Sequence, residues 1–103
     1  MVTYEITARV EMHLRSRYET YMRGRHIPDV LETGFFEEAT FSRSQDVYRV
    51  RYEAISVEAL SEYLENDAGR LRADFTVHFP TGVEVTRENW EVLQTFTYSR
   101  GSL

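Results

Sequence analysis

Residues 35–54, FFEEATFSRSQDVYRVRYEA, hold two candidate strands around one short polar break. In the second half, Tyr48, Val50, Tyr52 and Ala54 alternate with Val47, Arg49, Arg51 and Glu53. That period of two marks a strand with one buried face. In the first half, residues 35–43 place Phe35, Ala39 and Phe41 on one side. The break between them, Ser44-Gln45-Asp46, leaves room only for a turn, so the stretch predicts a β-hairpin.

Upstream, residues 2–12 (VTYEITARVEM) alternate as well: Val2, Tyr4, Ile6, Ala8, Val10 and Met12 face one way, and Thr3, Glu5, Thr7, Arg9 and Glu11 the other. Between this strand and the hairpin, Leu14, Tyr18, Tyr21 and Met22 recur at helical spacing. Gly24 is expected to end that helix. Pro28 suits the first turn of a second helical segment reaching about Glu32, and Gly34 a left-handed C-cap. Downstream, Ser56 is a good N-cap for a helix with Leu60, Tyr63 and Leu64 on its buried stripe. Asn66-Asp67 breaks and restarts the helix, whose second part buries Ala68, Leu71, Phe75 and Phe79. After Pro80-Thr81-Gly82, a last strand is expected from Val83 to Phe96. Its parity change between Val83/Val85 and Trp90/Val92/Phe96 predicts a bulge near residues 87–89.

The resulting order, β-α-β-β-α-β, predicts an α+β ferredoxin-like sandwich with antiparallel sheet order 4-1-3-2 and both helical layers on one face. Residues 1–98 form one such domain in this reading, and residues 99–103 a frayed tail. The second sheet face would carry Glu5, Arg9, Arg49, Arg51 and Glu53, with Glu84, Thr86 and Glu88 extending it. Two readings stay open for it: a solvated surface of exposed ion pairs, or the face through which a homodimer closes, with Trp90 and Phe96 at the seam.

Composition narrows the classes. A 103-residue chain that is 42% hydrophobic can bury one core. It has no cysteine, so disulfides and thiolate metal sites are excluded. A net charge of −5 argues against nucleic acid as a partner, since phosphate recognition needs clustered cations. No apolar run reaches the roughly 20 residues that span a bilayer, and the N-terminus does not read as a signal peptide. The expectation is a cytoplasmic protein with no membrane partner.

The blocks YEITARVEM, HIPDVLETGFFEEAT, YRVRYEAISVEALSEYL and LRADFTVHFP resemble the small bacterial proteins grouped as domain of unknown function 4286. The resemblance spans nearly the whole chain and is most specific in the His26–Phe35 block. It implies a dimeric α/β barrel of ferredoxin-like domains and no assigned reaction. The wider superfamily includes cofactor-independent monooxygenases and haem-degrading enzymes. The haem degraders carry a tryptophan where this chain has Tyr63 and a histidine near the spacing of Ala73, so no cofactor is expected here.

His26 is the best candidate for chemistry, because an unperturbed imidazole titrates near neutrality and can act as acid, base or ligand contact. The competing reading makes it a structural residue, capping a helix end, pairing with Asp29 or fixing the approach to Pro28. Tyr4, Tyr48 and Tyr63 join His26 as candidate ligand-binding residues, since each buried phenol wants a hydrogen-bond partner. Alternatively they are core aromatics whose hydroxyls reach an edge. His13 and His78 make no recognised metal motif, and no metal ligand set is expected. Three functions follow: a small-ligand-binding or structural homodimer, a cofactor-independent monooxygenase-like or isomerase-like enzyme acting on a small organic substrate, or an acidic partner-binding adaptor that uses the charged sheet face instead of a pocket.

Overall fold

Alternation along the first strand decides where the core lies. A computed structural model describes residues 1–99. In it β1 (Val2–Val10) turns Val2, Tyr4, Ala8 and Val10 into the core. It is flanked by β3 (Val47–Ala54) and β4 (Val83–Glu91), and β2 (Phe36–Ser44) completes the antiparallel sheet in the order β2-β3-β1-β4. This is the α+β ferredoxin-like topology, 4-1-3-2. Register places small opposite large along the centre: Ala8 faces Tyr48, and Ala54 faces both Val2 and Phe36.

The helices are α1 (Arg15–Tyr21), α2 (Ile27–Glu32), α3 (Val57–Asn66) and α4 (Ala68–His78). They supply Tyr18, Tyr21, Val30, Leu60, Tyr63 and Leu71 to the same core as the strands. Ser56 caps α3 by accepting from the Ala59 N–H at 3.0 Å. Asp67 separates α3 from α4 but makes no capping bond with its side chain, which pairs instead with Arg70. Gly34 has φ of +84° and closes α2 in the left-handed region, as its residue type predicts. Gly82 has φ of +87°, and a Cβ there would collide with Leu14 Cδ1.

Four expectations are corrected. Gly24 does not end the first helix. A π-helical turn, Met22–His26, carries the chain on into α2 and buries Met22 and His26. The wider turn meets Pro28 where the helix loses an N–H donor, so packing overrides a weak glycine stop. Met12 is exposed, because β1 ends at Val10 and a 3₁₀ turn (Met12–Leu14) follows. The bulge lies in β2, not β4: pairing shifts at Glu37, which puts Phe36 on the same face as Ala39 and Phe41 and makes it, rather than Phe35, the buried ring. Finally, β4 pairs with β1 without interruption from Val83 to Glu91 and stops where β1 runs out, with Val92 N–H donating to the Met1 carbonyl. Trp90 sits opposite in parity to Val85 by ordinary alternation. Of the tail expected over 99–103, residues 100–103 lie outside the described residues.

Candidate functional site

The helical layer is tied down at one carboxylate. Asp74 on α4 accepts from the Tyr21 hydroxyl at 2.8 Å and from Arg25 Nε and Nη2 at 2.9 and 2.7 Å. These bonds, Arg25 first, hold its pKa down at about 2. A second carboxylate, Glu19, accepts from the Tyr48 hydroxyl at 2.5 Å and from Arg43 at 3.1 Å. The first cluster binds α1 and the turn after it to α4, and the second binds α1 to the sheet.

Between these anchors the packing leaves a small cavity of about 20 Å³, enough for one water-sized group. Its floor is Ile6 from β1 and Val85 from β4. Tyr18, Met22 and His26 form the wall on one side, and Arg72 and Phe75 of α4 the wall on the other. Arg87 of β4 completes the lining and, like Arg72, is exposed to solvent.

His26 is only 8% exposed, with Tyr21 and Phe75 rings at centroid distances of 5.8 Å. Its Nδ1 is buried and has no hydrogen-bond partner. Desolvation pushes its pKa below 6.5; Asp29 and Asp74 oppose that shift through their fields, and Arg87 adds to it. At neutral pH the ring is therefore uncharged, with one nitrogen able to accept and the other to donate. Asp29 acts on it only through its field and makes no hydrogen bond with it.

The tyrosines divide. Tyr4 stacks with Phe36 and Tyr52, and its hydroxyl accepts from Arg72 Nη2 at 2.9 Å, which links it to the cavity wall through one guanidinium. Tyr63 packs against Tyr4 and Phe36, and burial pushes its phenol pKa up while Arg72 and Arg87 pull it down. Tyr48 packs against Tyr18 and Phe41 and spends its hydroxyl on Glu19. None of the three lines the cavity. The tyrosine that does is Tyr18, which sequence reasoning took for core alone, and Arg72, Phe75, Val85 and Arg87 went unnoticed as site residues. A further orphan, the Tyr52 hydroxyl, is fully buried away from the cavity lining. Among the described residues no three His, Asp or Glu side chains converge in a way that could hold a metal ion, and no helix is long and apolar enough to cross a membrane.

Residues 1–93 match the family described as a domain of unknown function, DUF4286, and the chain belongs to it. Two solved structures share the fold. A Deinococcus radiodurans protein named as a candidate antibiotic biosynthesis monooxygenase has a TM-score of 0.65 at 12% identity, covering 96% of this chain and 99% of its own. An ethyl tert-butyl ether D family protein from Bacillus halodurans has a TM-score of 0.67 at 13% identity, covering 90% of this chain and 100% of its own. No curated protein matches the sequence.

Proposed function

We propose that this DUF4286 chain is a cytoplasmic, homodimeric small-ligand-binding protein whose ligand enters between helices and sheet at His26. The observation that carries the binding site is the buried imidazole with an unpartnered nitrogen beside a cavity. A lone buried polar atom costs about 1–3 kcal/mol, which a ligand hydrogen bond would recover. Substituting His26→Gln tests it. Unchanged thermal stability with lost ligand binding supports a site; a large loss of stability with binding unaltered makes His26 structural and removes the proposal.

The homodimer rests on the other side of the sheet and on the chain's end. After Val92 the chain leaves the sheet, and Leu93, Phe96 and Tyr98 are 88, 81 and 87% exposed. Trp90, half exposed, continues this apolar series onto the outer face. A second copy, meeting the first about a twofold axis, would cover both. The Glu5 carboxylate, 3.4 Å from Arg51 and 3.8 Å from Arg49, would then be shielded from water and salt. Sedimentation at micromolar concentration should give a dimer, and monomer alone would remove this part.

A second reading is favoured by the neutral imidazole, which is the protonation state a general base needs. The candidate antibiotic biosynthesis monooxygenase name of the Deinococcus radiodurans neighbour points towards an oxidation. At 12% identity that likeness carries the fold and not the activity. Turnover of a bound ligand, abolished in His26→Gln while binding persists, would establish it over binding alone.

A further inference from the structure

We infer that the ligand carries a carboxylate, held at the cavity mouth by Arg87 and Arg72, with a short apolar end of one or two carbons turned towards Ile6, Met22, Phe75 and Val85. The inference rests on the reading that the cavity takes a ligand and adds the chemical class of that ligand.

Arg87 carries the argument. It lies in the helix-facing row of β4, opposite Ile6, where the preceding members of the row are Val83 and Val85. An arginine placed in an apolar row ordinarily has a carboxylate waiting for it. Here β4 is the edge strand, and Ile6 is its one cross-strand partner. Among the described residues, Arg87 makes neither a hydrogen bond nor an ion pair, whereas Arg9, Arg25, Arg43, Arg49, Arg51 and Arg70 all have carboxylates within 4 Å. Arg72 is committed only to the neutral Tyr4 hydroxyl, so its charge is likewise uncompensated. In a chain of net charge −5, two unneutralised guanidiniums thus share one cavity. They also act on common neighbours: both lower the Tyr63 phenol, and Arg87 acts on His26.

Guanidinium forks match planar carboxylates bidentately, and such charge-assisted bonds are about twice as strong as neutral ones. Inorganic phosphate would satisfy the arginines but leave the four apolar lining residues unused. The neutral His26 adds a hydrogen bond without adding charge, which suits a hydroxyl or carbonyl elsewhere on the same ligand. A short-chain carboxylate, with an apolar end near the size of a methyl group, fits that space and meets both the cations and the apolar wall.

The test sets acids against their uncharged amides on the full-length chain. Acetate and propionate are titrated at millimolar concentration against acetamide and propionamide while the His26 imidazole resonances are followed by NMR. The expected result is that an acid binds about tenfold tighter than its amide and that Arg87→Gln shrinks this preference, with Arg72 holding the remainder. Equal binding of acid and amide, or a preference undiminished in Arg87→Gln, overturns the carboxylate inference and leaves the ligand site standing. Inorganic phosphate competing as well as propionate overturns the organic-acid assignment. If none of the four compounds moves the His26 resonances, the ligand site and the inference fall together.

Discussion

Asp74 and His26 stand on two sides of the same tyrosine. Tyr21 gives its hydroxyl to Asp74 and its ring face to His26, and Phe75 packs beside both Tyr21 and His26. Yet Asp74 has every expected partner and His26 has none. The difference separates two uses of a titratable group. A carboxylate bonded to an arginine fork and a phenol is finished as a structural element, and nothing further can bind to it without cost. An imidazole with an orphaned nitrogen is unfinished within its own chain. Positioned beside a cavity and two uncompensated cations, it is better understood through what could complete it.

The contrast can be broken by substitution. The largest effect is expected at Asp74→Ala, which takes the acceptor from both the part-buried Tyr21 hydroxyl and the Arg25 fork. The melting temperature should fall by roughly 5–10 °C, and a change within scatter would mean that the clamp is ornamental. His26→Met should do far less: it removes an unpartnered buried nitrogen at similar volume, so melting should stay within about 3 °C of wild type or rise. A drop as large as that of Asp74→Ala would make the two residues alike and end the distinction.

Acid should separate them again by window. The unfolded imidazole takes up a proton near pH 6.5 and the folded one resists, so unfolding binds a proton and stability declines as pH falls below 6.5. Asp74 behaves differently. Its folded carboxyl titrates at about 2 against 3.8, so its contribution is complete above 3.8 and is lost as pH falls towards 2. Melting curves from pH 7 to 5 should slope downward in wild type and lose most of that slope in His26→Met, while Asp74→Asn lowers stability at every pH above about 4 and removes the slope only below it. The smallest effect is expected at Tyr52→Phe. Deleting the other orphaned hydroxyl should leave stability unchanged or raise it by less than about 1 kcal/mol, and a clear loss would reveal a partner for that hydroxyl.

How much of this could be read in advance differs from element to element. The hairpin was legible because alternation over 47–54 and the polar break at 44–46 are local signals. Gly34 and Ser56 were legible for the same reason, since a left-handed C-cap and an N-cap are each decided within a few residues. Gly24 misled, because its weak preference against helix gave way to the burial of Met22 and His26. His26 drew notice by residue type and by its place ahead of Pro28. Arg87 did not, and one signal could have found it: with β4 taken as unbroken, its parity puts an arginine in the row of Val83 and Val85. The bulge assumed at 87–89 hid that parity. Arg72, Tyr18 and Phe75 gave no such sign, since an aromatic stripe with one arginine on a helix reads equally well as core and surface.

The sequence by itself thus determined the order of elements, the antiparallel ferredoxin-like topology, the inward face of each central strand and the exclusion of thiol chemistry. These follow from period, turn residues and composition, all of which act over short distances along the chain. Only the tertiary structure decided where the π turn and the bulge fall, which tyrosine hydroxyls find partners, and that His26, Arg72 and Arg87 border one cavity. Those residues come from three separate elements, and whether a polar group is satisfied depends on what packing brings opposite it. No local pattern encodes that.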